Sequence, residues 1–225
     1  ERPGRVTGGT LAFAGTSYNL GVQASLAPLR GVRAGMVFQE PMSALNPVFT
    51  VGAQIAENLD EHGLAQADGV RDLAVNWLRR VGLPDPQRAY AMYPHQLSGG
   101  MKQRVMIAMA LAAEPQVLFA DEPTTALDAT VQGQILRLLR TLQRERNLAM
   151  LLVTHDLGLV RQYADEVAIM YAGQIVEVAS VAALLSAPRH PYTQALLACR
   201  PGAGEPGAKL PTIAGAVPRP QNFVA

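Results

Sequence analysis

The spacing of apolar residues changes several times along the chain, and each change predicts an element. Val70, Leu73, Ala74, Trp77, Leu78 and Val81 recur at three- and four-residue intervals before Gly82 and Pro84 interrupt them. That is one face of an amphipathic α-helix, and it places Trp77 in a core rather than on a ligand. The helical period begins at Val51. It returns as a stripe at Met101, Val105, Ala108, Met109 and Ala112, and again at Ile135, Leu138, Leu139 and Leu142. Two apolar runs are short and continuous, Val117 to Ala120 and Ala149 to Val153, which predicts two buried strands.

Before the helices, Val6-Thr7, Thr10 to Phe13 and Gly15 predict an edge hairpin, and a second short run ends in Arg33 to Phe38. Val167 to Tyr171 and Gln174 to Val178, joined through Ala172-Gly173, predict a closing hairpin. Beyond Ser186, prolines and glycines predict an extension in which only Tyr192 to Cys199 is helical. The alternation of helix and buried strand predicts an open, largely parallel α/β sheet, where ligands bind at the C-terminal strand ends. Asp121-Glu122-Pro123 follows the first buried strand, and Thr154-His155-Asp156 follows the second.

Composition removes several classes. With 49% apolar and 16% charged residues, the chain has the make-up of a folded globular protein. Val105 to Ala113 and Leu148 to Val153 fall well short of the ~20 residues of a spanning helix, so no bilayer crossing is expected. Glu1-Arg2-Pro3-Gly4 has no secretory pattern, so a cytosolic setting is expected. The lone Cys199 rules out an internal disulfide framework and a four-cysteine metal site. A net charge of +1 without a basic run argues against nucleic acid as partner.

The chemistry-bearing residues each admit two readings. Ser98-Gly99-Gly100 opens a helix, where free N–H groups and the dipole favour phosphate, yet Ser98 could equally be a plain N-cap with turn glycines. Successive strand residues point to opposite sides, so of Asp121 and Glu122 one could hold Mg²⁺ while the other activates water; the alternative is a solvated acidic turn. His155 could donate to a γ-phosphate or simply cap or pack. Asp128 could be no more than the N-cap of the next helix.

Taken in order, Gln39, Ser98-Gly99-Gly100, Asp121-Glu122, Asp128 and His155 resemble the Q-loop, signature motif, Walker B strand with its glutamate, D-loop and H-loop of the ATP-binding cassette (ABC) ATPases. Phe38 to Pro47, Thr125 to Gln132 and His190-Pro191-Tyr192-Thr193-Gln194-Ala195-Leu196-Leu197 are similar to stretches of its oligopeptide, dipeptide and nickel importer branch. The resemblance implies a P-loop-type nucleotide-binding domain: a mostly parallel sheet with flanking helices, an edge β-subdomain and a helical subdomain. It implies an ATPase domain over residues 1–186, with the helical subdomain at about 51–99, and an extension over 187–225.

It further implies ATP and Mg²⁺ as cofactors, with Glu122, His155 and Gln39 catalytic, Ser98, Gly99, Gly100 and Asp128 on nucleotide, and Asp121 and Gln39 on metal. The implied partners are transmembrane permease subunits, a second ABC ATPase subunit and, indirectly, a substrate-binding protein. The implied place is the cytoplasmic face of the inner membrane. Two other readings remain: a non-catalytic half-site that lends its signature motif to a partner, and a soluble ABC ATPase of nucleic-acid metabolism.

The family's phosphate loop, Gly-x-x-x-x-Gly-Lys-Ser/Thr, does not occur in the 225 residues, whose only lysines, Lys102 and Lys209, follow Met101 and Ala208. Gly4-Arg5-Val6-Thr7-Gly8-Gly9 resembles the segment just after that loop's helix, and the branch's cysteine-containing tail is not present after Ala216-Val217-Pro218. The chain is therefore expected to be a fragment at both ends, and inactive by itself.

Overall fold

The structure is a computed structural model that describes residues 6–64, 69–125, 127–199 and 213. In chain order its strands are β1 (Thr10–Phe13), β2 (Thr16–Asn19), β3 (Ala34–Val37), β4 (Val117–Asp121), β5 (Ala149–Val153), β6 (Glu166–Tyr171) and β7 (Gln174–Ser180). The helices are α1 (Gln23–Leu26), α2 (Pro41–Ala44), α3 (Val51–Glu61), α4 (Val70–Arg80), α5 (Pro86–Ala91), α6 (Gly99–Ala112), α7 (Ala129–Arg146), α8 (Leu157–Tyr163), α9 (Val181–Ser186) and α10 (Pro191–Ala198). The chain forms two compact units, residues 1–153 and 154–225.

In the first unit, β1 and β2 form the antiparallel edge hairpin, and β3, β4 and β5 form a parallel sheet with β4 in the middle. Val37, Leu118 and Ala120 point to one face of that sheet and are fully buried. α6 packs against β3 and, on its other sides, against α3, α4 and α7. A helix so enclosed is apolar nearly all round, which corrects the single predicted stripe. Gln103, Val105, Met106, Ile107, Ala108, Leu111 and Ala112 are all buried, while Met101 and Met109 are only half-buried.

α3, α4 and α5 form a helical layer. Its face toward α6 is lined by Ile55 and Leu59 from α3 and by the predicted Ala74, Trp77 and Leu78 from α4. Trp77 lies in the core as expected, with two cations against it: the Arg80 and Arg146 guanidiniums stand 4.9 and 5.4 Å from its ring centroids. Arg80 pairs with Glu145 at 3.0 Å and Arg146 pairs with Glu114, so the layer is tied to the end of α7 by stacking and charge together.

β5 departs from the expected buried strand. Met36, Phe119 and Leu151 share one register row on the sheet face away from α6, and they are exposed, Leu151 to 53% and Phe119 to 38%. Strand alternation is the reason: Met150 and Leu152 point to the packed face, and Leu151 and Val153 to the other. Parallel sheets ordinarily bury both faces. Among the described residues, nothing covers this one.

In the second unit β6 and β7 form the predicted hairpin, and Val167, Ile169 and Leu184 form its small core with Tyr192 and Leu196 of α10. The His-Pro-Tyr-Thr segment is a helix start. His190 is the N-cap, its Nδ1 accepting from the Tyr192 N–H at 3.1 Å, and Pro191 occupies the first helical position, where no N–H is needed. The Thr193 hydroxyl nearby, and the main-chain N–H groups of Arg189 (2.9 Å) and His190 (3.0 Å) that donate to the Glu177 carboxylate, hold that carboxyl below the usual range. Thr193 Oγ1 makes no well-formed bond, so the two amides carry this clamp of α10 onto β7.

A carboxyl whose folded pKa is depressed stabilises the fold above its unfolded pKa, and that contribution fades as pH falls through the folded value. The α10 attachment should therefore hold at neutral pH and loosen only as pH drops below the ordinary glutamate value of 4.5. Amide-proton shifts of Arg189 and His190 followed by NMR down the acid range should show the transition, and Glu177→Gln should abolish it.

Candidate functional site

β3 and β4 run side by side, with Val37 opposite Ala120, so the residues just past both strand ends converge. Gln39 lies two residues beyond β3. Asp121 is the last residue of β4, opposite Val153, and Glu122 has already left the strand. The expected division between two alternating strand residues is therefore one between a strand end and a turn. Glu122 has φ 41°, in the left-handed region that a side chain other than glycine's rarely adopts. Its N–H still donates to the Val153 carbonyl at 3.0 Å, which extends the ladder by one step. Non-glycine backbone held this way persists where its surroundings over-determine it, and such positions cluster at active sites.

The surroundings here are specific. Glu122 Oε2 accepts from Gln39 Nε2 at 3.2 Å and from Thr125 Oγ1 at 2.7 Å. Two donors on one carboxylate oxygen orient the group, an arrangement suited to holding and deprotonating a water. Thr125 opens the Thr125 to Gln132 stretch that resembles the importer branch, and the resemblance assigns it no role. Its spacing of three from Glu122 in a tight turn is the signal that could have found it. Behind the turn, buried Thr124 accepts from Gln132 Nε2 at 3.0 Å, which fastens it to α7.

Asp128 caps α7, accepting from the N–H groups of Thr130 and Val131. Ser98 caps α6 in the same way, accepting from Met101 N–H at 3.3 Å. The plain capping role is thus real for both residues, and it aims two helix N-termini, with their positive ends, from neighbouring chain segments. The segments touch through the glycines. A Cβ on Gly99 would meet Leu127 Cδ2 at an ordinary 3.6 Å, whereas a Cβ on Gly100 would meet Val131 Cγ1 at 2.8 Å. Gly100 is therefore required by packing, and Gly99 is not.

Gly100→Ala should lower stability by about 1–2 kcal/mol, the overpacking cost reduced by alanine's better helix propensity. Adding Val131→Ala should recover most of that loss, and Gly99→Ala alone should be neutral. Urea melts of the three variants check this.

His155 belongs to the second unit, where it is exposed in the loop that leads to Asp156, the N-cap of α8. Gln39 and Glu122 are thus brought together, and Ser98-Gly99-Gly100 lies beside the Asp128 segment. Among the described residues no three His, Cys, Asp or Glu side chains converge as a metal site. Asp121 and the Gln39 carbonyl still offer hard oxygen donors at adjacent strand ends. That fits Mg²⁺, which takes one or two protein oxygens and completes its shell with water and phosphate.

Strand ends, an oriented carboxylate and glycine-led helix starts are the parts of a nucleotide-hydrolysing cassette. The family model "ABC transporter" matches residues 4–125, and "Oligopeptide/dipeptide transporter, C-terminal region" matches residues 176–225. The chain belongs to the ABC transporter ATPase family and carries the C-terminal region of its oligopeptide/dipeptide branch.

It is 48% identical over 218 residues to the dipeptide transport ATP-binding protein DppD of Escherichia coli (strain K12), covering 97% of this chain and 67% of the relative. To the oligopeptide transport ATP-binding protein OppD of Lactococcus lactis subsp. cremoris (strain SK11) it is 49% identical over 194 residues, 86% of this chain and 57% of the relative. A solved dimeric ATP-binding cassette in a post-hydrolysis state, bound to ADP and Pi, superposes with a TM-score of 0.68 at 29% identity, covering 79% of this chain and 75% of that one. The parallel-sheet cassette fold expected from the sequence is the fold found. Among the described residues no helix is long and apolar enough to cross a membrane.

Proposed function

We propose that the complete protein is the ATP-hydrolysing subunit of an importer of dipeptides or oligopeptides, with nickel as the alternative cargo. The observation that carries this reading is Glu122, held in a left-handed turn with its carboxylate gripped by Gln39 and Thr125. A half-site subunit needs no such construction, so the catalytic reading is preferred.

In it, Glu122 takes a proton from the attacking water, Gln39 and Thr125 hold the carboxylate in register, and Asp121 with Gln39 would hold Mg²⁺. When bound, the metal would neutralise charge on the phosphates. Ser98, Gly99 and Gly100 act in trans, on nucleotide held by an opposing subunit, and Asp128 sets the adjoining turn. His155 keeps the role that the motif implies, a donor to the γ-phosphate. Residues 1–186 form the ATPase domain, with 51–99 its helical part and 187–225 the extension. Positioning supplies most of phosphoryl-transfer catalysis, so the 225-residue polypeptide, without a phosphate loop, is expected to turn over negligibly by itself.

The coupling surface is the segment from Gln39 to Val51 with the helices after it, and the segment's anchoring supports that role. Buried Gln54 of α3 accepts from Asn46 N–H at 2.9 Å and donates to the carbonyls of Asn46 (3.0 Å) and Phe49 (3.1 Å), while Val48 is 71% exposed. A loop so fixed can pass a shift at Gln39 to permease subunits at the cytoplasmic side of the membrane.

The test is ATP turnover and uptake by the assembled transporter in vesicles. Di- and oligopeptides with their binding protein should stimulate both together, and Ni²⁺ should not. Turnover that ignores peptide while uptake of another solute follows ATP would overturn the reading.

A further inference from the structure

Arg104 lies on the second turn of α6, beyond every residue given a role so far. Its Nη1 donates to the Val81 carbonyl at 2.6 Å, and its Nη2 donates to Gln134 Oε1 of α7 at 3.2 Å. Val81 is the C-cap of α4, so the cation sits where that helix presents its negative end. The next residue, Gly82, is left-handed at φ 78°, and a Cβ there would stand 3.0 Å from Nη1. One side chain thus joins three helices: the one that begins with the signature turn, the last helix-end of α4, and the helix that follows the acidic turn. The planar guanidinium serves both acceptors with two different nitrogens held in one rigid fork, whereas a lysine offers a single ammonium point charge in their place.

We infer that Arg104 is a positioning residue, whose bridge between Val81 and Gln134 sets the placement at which the Ser98–Gly100 turn meets nucleotide on the opposing subunit. The inference rests on the trans reading given above. α6 is buried along most of its length, so it moves as a rod, and a bridge near its start governs its N-terminal turn more than its far end. Hydrogen bonds from a charged donor are among the stronger ones, so losing this bridge should loosen the turn measurably while the buried core keeps the fold.

The experiment uses the complete protein carrying Glu122→Gln, so that turnover does not consume ATP. Affinity for a fluorescent ATP analogue is measured on dilute monomer, and ATP-dependent dimerisation by sedimentation. Arg104→Met should leave monomer affinity within about twofold and raise the protein concentration needed for dimers by roughly tenfold, the scale of one charge-assisted bond. Arg104→Lys should fall between the two. Gln134→Met, at an exposed position that threatens no folding, should shift dimerisation in the same direction by a few-fold.

Normal dimers in both Arg104→Met and Gln134→Met, while Gly99→Asp blocks dimers, would overturn the role of Arg104 alone. So would equal losses of monomer affinity, melting temperature and dimerisation, which mark a merely structural residue. Normal dimers in Gly99→Asp would remove the trans reading, and this inference with it.

Discussion

Glu122→Gln in the complete protein is expected to lower ATP turnover by ~10² or more while nucleotide binding survives. The amide keeps the carboxylate's shape. Its oxygen can still accept from Thr125 Oγ1 and Gln39 Nε2, the two groups that hold the native side chain at 2.7 and 3.2 Å, so the left-handed turn has no reason to rearrange. What the amide lacks is the ability to take a proton. A hundredfold loss corresponds to about 2.7 kcal/mol of barrier, a usual share for a general base. Single-turnover assays should find ATP bound and unhydrolysed, and the bound state should accumulate as a stalled dimer. Near-normal turnover would remove Glu122 from its role.

Gly99→Asp is expected to abolish ATP-driven dimerisation and leave the monomer folded. The steric case is clean, because a Cβ on Gly99 meets only Leu127 at an ordinary contact distance. The electrostatic case is the reverse. A helix start attracts phosphate through its N–H groups, and a carboxylate placed there occupies the same field and repels the incoming anion. Gly100→Ala should behave in the opposite manner, weakening the monomer through Val131 with little electrostatic effect. Sedimentation with and without ATP, next to a thermal melt, separates the two glycines. A Gly99→Asp protein that still dimerises on ATP would contradict the trans assignment.

What was legible in the chain was what periodicity and strand-end chemistry encode. The Val70 to Val81 spacing gave α4 almost to the residue, and the runs at Val117 and Ala149 gave two of the three strands of the parallel sheet. Short helices such as α1, α2, α5 and α9 were invisible, since four to six residues are too few to show a period. The α6 stripe was misread because a helix enclosed on nearly all sides has no polar face to define one. Ala149 to Val153 looked buried because composition alone cannot say that half of a strand's residues face nothing.

At the site, the grip of Thr125 is local, three residues from Glu122 in one turn, but the Gln39–Glu122 contact, the anchor at Gln54 and the bridge of Arg104 depend on approaches between separate segments. Gln54 is eight residues from Asn46, and Arg104 is thirty from Gln134. No spacing rule spans such distances.

The lone tryptophan gives this chain a built-in optical reporter with a narrow field of view. Because Trp77 is buried against Arg80 and Arg146, its emission senses the junction of α4 with the end of α7. A red shift during urea titration would time the release of the helical layer, while far-ultraviolet circular dichroism would time the whole chain. Should the emission change at lower urea than the ellipticity, the helical layer detaches first as a cooperative piece of its own.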